Sequence, residues 1–331
     1  CDRDPRVTSF AERVQGRIVG ALAALPPPVQ RFLAGGGPVR IDGQELAAEY
    51  QLVLRLVSLS GHRGLDTMTP EKARAELLRS AHVFAGNPPP VARVEDRVLP
   101  GPAGPIPARL YVPVDDRKRR SLVVHYHGGG WVIGDLDTHD VICRTLANGA
   151  HCAVFSVEYR KAPESPFPAA VDDCLAAFSF VSRNSSSLKI NPKQLAVGGD
   201  SAGGNLATVI ALMARDAGGP AISFQLLVYP GTDQRMGHAS IERNGEGYLL
   251  TKESMTYFRG HYLPRSEDWL DWRASPLLAK SLAGLPPAFL MTAGFDPLLD
   301  EGRAYAERLK KAGVPVEYRE YSDMVHGFIT M

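Results

Sequence analysis

From residue 121 onward, short runs of nearly uninterrupted apolar residues alternate with longer segments of helical period. "SLVVHYHG" (121–128), "CAVFSVEY" (152–159), "QLAVGG" (194–199), "SFQLLVYP" (223–230), "PPAFLMTAG" (286–294) and the more polar "VEYREYS" (316–322) read as strands. Between them lie helical stretches at 168–183, 201–216 and 298–313. A strand that is apolar at successive positions cannot have one face in water. Alternation of such strands with helices therefore predicts a parallel sheet covered on both sides. Ligands of these sheets gather beyond the carboxyl ends of the strands. Four of those ends carry glycine next to reactive groups: "HGGGW" (127–131), "DSAGG" (200–204), "FDPLLDEG" (295–302) and "DMVHGF" (323–328).

The chain ahead of this series differs. Residues 7–25 and 45–59 place apolar residues at helical spacing, with Gly/Pro breaks expected at 26–28 and 35–38. "TPEKARAELLRSAHVFAG" (69–86) adds a start signal, with Thr69 as N-cap and Pro70 at the first helical position, and a stop signal at Gly86. "NPPP" (87–90) closes the region, giving a helical segment 1–88 and a strand–helix domain 89–331. Residues 91–113 read as two strands about a Gly/Pro turn, and 231–285 as irregular.

Composition excludes several classes. A formal net charge of +1 over 331 residues gives no bulk attraction to nucleic acid or an anionic membrane. No apolar run reaches the length of a membrane span. Cys1, Cys143, Cys152 and Cys174 lack metal or redox spacing; Cys152 and Cys174 read as small buried hydrophobes. No metal or organic cofactor is expected. A cytoplasmic location is the expectation, with a secreted form, or one anchored by lipid on Cys1, as alternatives.

"GDSAG" (199–203) between a strand and a helix is a nucleophile-elbow pattern. Gly199 and Gly203 leave room for strand and helix to pass closely, and Asp200 completes the turn before Ser201. The helix that follows directs its positive end at a developing oxyanion. A serine hydroxyl needs a base. In the order serine, acid, histidine, the downstream candidates are Asp296 and His326, with Asp300 and Asp323 as rival acids. Asp300 leads into a helix, and Asp323 precedes His326 too closely to reach its ring. The remaining part is a set of backbone N–H donors, which "HGGG" (127–130) and Ala202 supply. Serine at the elbow argues against dehalogenase or epoxide hydrolase chemistry, which needs Asp there, and dienelactone chemistry, which needs Cys.

Together "HGGGWVIG" (127–134), "VEYRKAPESPFPAAVDD" (157–173), "GGDSAGGNLA" (198–207), "GFDPLLDEG" (294–302) and "HGF" (326–328) resemble the bacterial hormone-sensitive-lipase-like esterases. These form the GDSAGG branch of the α/β-hydrolase fold. The resemblance implies a mostly parallel sheet of about eight strands flanked by helices, with a helical N-terminal cap over residues 1–88 that 245–263 completes. It implies Ser201, Asp296 and His326 as the triad and Gly129, Gly130 and Ala202 as oxyanion donors, with His127 ordering the oxyanion loop. The implied reaction is hydrolysis of small esters with short- to medium-chain acyl groups. Amide hydrolysis or deacetylation by the same triad is the alternative, and a non-catalytic ligand-binding relative is a third reading. Homodimers are common in the family. Lys161 departs from the pattern, standing where the family usually has Leu, and is expected to act only at the surface.

Overall fold

The computed structural model of the protein describes residues 9–59, 64–114 and 120–331. Cys1, the site of the lipid-anchor expectation, lies outside the described residues, as do 2–8 and 60–63 of the helical N-terminal region.

Among the described residues, that region holds four α-helices and one hairpin: α1 (Phe10–Ala23), α2 (Pro27–Leu33), β1 (Arg40–Ile41), β2 (Gln44–Glu45), α3 (Ala48–Leu59) and α4 (Pro70–Phe84), with a short 3-10 turn at Leu65–Thr67. A capping box starts α1: Glu12 N–H donates to Ser9 Oγ at 3.2 Å, and Ser9 N–H donates to Glu12 Oε2 at 2.6 Å. Pro26–Pro28, expected as a break, instead opens α2, since proline at the first helical position costs no hydrogen bond. The start of α4 follows the expectation, with Thr69 in an extended N-cap conformation and Pro70 next. None of the α1 residues is buried. It lies on α4 at Gly16, where a methyl group would sit 3.2 Å from the Val83 carbonyl oxygen.

The rest of the chain builds one sheet from β3 (Arg93–Gly101), β4 (Gly104–Val112), β5 (Arg120–Tyr126), α5 (Asp140–Gly149), β6 (Ala153–Val157), α6 (Ala169–Arg183), β7 (Ile190–Asp200), α7 (Ala202–Asp216), β8 (Phe224–Val228), α8 (Ala239–Asn244), α9 (Lys252–Tyr262), β9 (Ala288–Phe295), α10 (Leu299–Lys311) and β10 (Val316–Val325). Its eight strands run in the order β10-β9-β8-β7-β5-β6-β4-β3. From β10 through β6 every pairing is parallel, and β4 pairs antiparallel with both β6 and β3. The stretch 231–285, read as irregular, contains α8 and α9.

Strand order determines where the helices go. From β5 the chain moves to β6 on one side, then crosses back to β7 and continues to β8. Right-handed crossovers put α5 on one face of the sheet and α6, α7 and α10 on the other. The packing agrees: α6 lies on α7, and α5 lies on β4 and β6. Central α7 is buried on nearly all sides, from Ala202 to Leu212 without interruption, because the sheet, α6 and the 276–278 turn surround it. Connections leave β5 and β7 toward opposite sides, so these two neighbours form the switch point of the sheet. The HGGG loop follows β5, and Ser201 follows β7.

Candidate active site

Ser201 sits in a backbone conformation, φ 55° and ψ −117°, that ordinary residues avoid. Packing holds it there. Its N–H donates to Val228 O at 2.9 Å, and its carbonyl accepts the Asn205 N–H at 3.0 Å. Close approach explains the flanking glycines. A methyl group on Gly203 would lie 1.8 Å from Tyr126 O, and one on Gly199 would lie 2.3 Å from the same oxygen. The turn is thus wedged against the end of β5.

His326 Nε2 lies 2.9 Å from Ser201 Oγ, and His326 Nδ1 lies 2.7 Å from Asp296 Oδ2. A carboxylate only accepts, so Nδ1 carries the proton and Nε2 presents its lone pair to the serine hydroxyl. Asp296 is fully buried just beyond β9. Its Oδ1 accepts the Leu298 N–H at 2.8 Å, and its carbonyl accepts the Asn244 side-chain amide at 3.0 Å. The rival acids are engaged elsewhere. Asp300 Oδ2 accepts the Ser240 N–H at 2.8 Å, and the ring nitrogen that Asp323 would have to reach is bonded to Asp296.

The HGGG loop curls tightly on itself. Gly129 (φ 111°) and Gly130 (φ 58°) take left-handed conformations. The Gly129 carbonyl accepts the N–H groups of Val132 (3.1 Å) and Ile133 (2.9 Å), so it points away from the serine. Among the described residues, the N–H groups of Gly129, Gly130 and Ala202 donate to no protein acceptor. All three residues line one cavity of about 660 Å³ with Ser201 and His326. The other walls are mostly apolar, with Ile18, Val57, Leu77, Met255 and Phe258 from the N-terminal helices and α9, while Glu76, Arg79, Asp233 and Gln234 add polar groups. Phe258 packs directly on the loop: a methyl group at Gly130 would meet its ring at 2.3 Å. One residue earlier on α9, the Tyr257 hydroxyl donates to Met68 O at 3.1 Å, tying this helix to the N-terminal region.

Beneath the loop lies a buried group that sequence reasoning missed. Asp200 Oδ1 accepts the Gly128 N–H at 3.0 Å, and its oxygens lie 3.3 and 3.4 Å from His139 Nε2. The Thr138 hydroxyl donates to Asp135 O at 2.9 Å, so its oxygen accepts from His139 Nδ1, 2.9 Å away. The Gly128 N–H is shared, 3.0 Å from Asp200 Oδ1 and 3.2 Å from His139 Nε2; with Nδ1 donating to Thr138, a proton gained by Nε2 would be shared with the Asp200 carboxylate. Burial opposes the resulting charge, but Asp200 outweighs it and raises the His139 pKa. Burial likewise opposes ionisation of Asp200, and His139 brings its pKa down to about 2. No sequence signal marks His139 for this role; what places it is its position before α5, which packs beside β6.

His127 is fully buried and neutral, its pKa pushed well down by burial and then by the charge of Lys161. Its Nδ1 donates to Gly128 O at 2.8 Å, and its ring stacks on Tyr159 at 4.3 Å. Lys161 corrects the expectation of a surface effect: its side chain is only 16% exposed and is bonded inward.

A parallel sheet with a serine elbow at its switch point, and an acid and a histidine at the next strand ends, is the architecture of the α/β hydrolases. The chain belongs to this family, in its hormone-sensitive-lipase-like branch: the model of the alpha/beta hydrolase fold family matches residues 123–330. The carboxylic ester hydrolase LipN of Mycobacterium tuberculosis is 43% identical over 97% of this chain and 88% of its own length. Ethyl acetate hydrolase of Pseudomonas putida is 36% identical over 87% of this chain and 92% of its own. Among solved structures, the esterase of the archaeon Pyrobaculum calidifontis superimposes with a TM-score of 0.80 at 41% identity, covering 84% of this chain and 89% of that one.

Proposed function

We propose that the protein is a serine carboxylic ester hydrolase that works through an acyl-enzyme. The observation that carries this reading is the continuous relay from Asp296 through His326 to Ser201, with steps of 2.7 and 2.9 Å. His326 takes the Ser201 proton as Oγ attacks the ester carbonyl, then gives it to the departing alcohol. Asp296 holds the tautomer that makes this possible and stabilises the imidazolium that forms. The N–H groups of Gly129, Gly130 and Ala202 receive the developing oxyanion in a site whose geometry is already built. A water activated by His326 then attacks the acyl group and frees Ser201.

Residues 1–88 and α9 act as a cap over the acyl site. Their apolar side chains make the cavity a place for aliphatic groups, and its size suits a short- to medium-chain acyl group with its alcohol. The names of the relatives, an ester hydrolase and an ethyl acetate hydrolase, support the reaction class. A non-catalytic binding role is disfavoured by His326, which sits in hydrogen-bonding contact with Ser201.

The test is Ser201→Ala assayed with p-nitrophenyl butyrate. Turnover is expected to fall to the uncatalysed background with the circular dichroism spectrum and melting temperature unchanged. Retained turnover would overturn the assignment.

A further inference from the structure

The HGGGWVIG loop is closed at its base by contact between its two ends. A methyl group on Gly134 would lie 2.4 Å from Gly128 O and 2.8 Å from His127 Nδ1. Any shift of Gly134 therefore displaces the Gly128 peptide, and with it the donors at Gly129 and Gly130. What grips Gly134 is Lys161: its Nζ donates to the Gly134 carbonyl at 2.7 Å and makes a short ion pair with Glu158 Oε1. Glu158 Oε2 in turn accepts the Leu136 N–H at 3.0 Å and lies 4.0 Å from His127 Nε2. Among the described residues, that nitrogen has no hydrogen-bond partner.

We propose that Lys161 is a positioning residue for the oxyanion loop: by holding the Gly134 carbonyl and Glu158 together, it fixes the closed end of the loop and hence the direction of the Gly129 and Gly130 N–H groups. The inference rests on the reading of these N–H groups as oxyanion donors. Electrostatics work the same way. Burial pushes the Glu158 pKa up, Lys161 is the cation that opposes it, and Asp135 adds to the rise. Without Lys161, the Glu158 carboxyl, its side chain 20% exposed, would face His127 Nε2 across 4.0 Å without the cation that now pairs with it. A lysine supplies both the charge and a donor for Gly134; a leucine supplies neither.

The experiment measures kcat and KM on p-nitrophenyl butyrate for Lys161→Met, Lys161→Gln and Lys161→Arg, with melting temperatures, beside Ser201→Ala. Misaimed donors weaken transition-state binding more than ground-state binding. Lys161→Met is expected to lower kcat roughly tenfold, less than outright loss of an oxyanion donor, with KM within about twofold. Lys161→Gln, a neutral donor, should fall between Met and wild type, and Lys161→Arg should recover most of kcat. Wild-type kcat in Lys161→Met, or an arginine variant no better than methionine, overturns the proposal. If kcat merely tracks the melting temperature across the series, Lys161 is structural and the proposal also fails. Ser201→Ala separates the two levels. A dead Ser201→Ala beside a wild-type Lys161→Met removes only the Lys161 role, whereas an active Ser201→Ala removes the site assignment beneath it.

Discussion

Asp200 holds Gly128. The carboxylate of the residue before Ser201 accepts the N–H of the second residue of the HGGG loop at 3.0 Å, so the nucleophile's turn and the loop facing it are one hydrogen-bonded unit. A methyl group on Gly128 would lie 2.3 Å from Asp200 Oδ2, which shows how closely the two are pressed. His139 supplies the positive charge that lets Asp200 stay ionised in a buried place.

This pair makes stability depend on pH in a definite direction. Asp200 is held at about 2, below the ordinary aspartate value of about 3.9. Its contribution is present above that ordinary value and disappears as pH falls through about 2. His139 is raised above its ordinary value of about 6.5, so its contribution is full below that value and is lost as pH rises through the raised one. His125, buried beside them and pushed down to about 4, acts oppositely: it is neutral when folded and costs stability as pH falls from about 6.5 toward about 4. Urea denaturation of the wild type and His139→Gln across pH checks the pair. The stability gap between them should be widest below the ordinary histidine value of about 6.5 and narrow as pH rises above it. A constant gap would contradict a charged His139.

Two glycine substitutions should differ in sign. Gly203→Ala forces a methyl group to within 1.8 Å of the Tyr126 carbonyl oxygen, where neither backbone can yield. Loss of several kcal/mol, read as insoluble or unfolded protein, is expected. Gly260 lies on the exposed side of α9 with nothing within 4 Å of an added methyl group. Gly260→Ala should stabilise by about 0.5–1 kcal/mol through helix propensity, measured by thermal melting.

Asp296→Asn should lower kcat by about 10⁴-fold with little change in fold, because an amide facing Nδ1 favours the wrong tautomer. Asp300→Asn should spare kcat and instead loosen the start of α8, whose Ser240 N–H the Asp300 carboxylate accepts at 2.8 Å. Steady-state kinetics and melting temperatures on both variants discriminate them. A larger kinetic loss at Asp300 would make it the acid.

The sheet was legible because burial on both faces leaves a direct mark, as in Ala153–Val157, buried at every position. The start of α4 was legible because Thr69-Pro70 is local chemistry. The β1–β2 hairpin was not seen. Its turn, Asp42 (φ 49°) and Gly43 (φ 80°), carries the Asp-Gly signal of a tight hairpin, but strands of two residues leave no alternation to read. Helices α8 and α9 left little trace because α8 is only six residues long and α9 is mostly polar; the capping box of Thr251 and Ser254 was the available signal for α9. At the site, Ser201, Asp296 and His326 could be named because each follows a recognisable strand, and the structure brings them together. His139 and Lys161 could not be placed, since their significance lies in contacts with Asp200 and Gly134, residues distant along the chain or joined only by the loop's curl. Sequence spacing carries no record of which carbonyl a lysine will reach.

The central claim is that Ser201 is the acylated nucleophile. Treating the protein with a fluorophosphonate ester and mapping the adduct by peptide mass spectrometry tests it most directly. One adduct per chain, on Ser201, is expected, formed in step with loss of esterase activity, and none in His326→Ala on the same timescale. Labelling at another serine, or full inactivation with Ser201 unmodified, would contradict it.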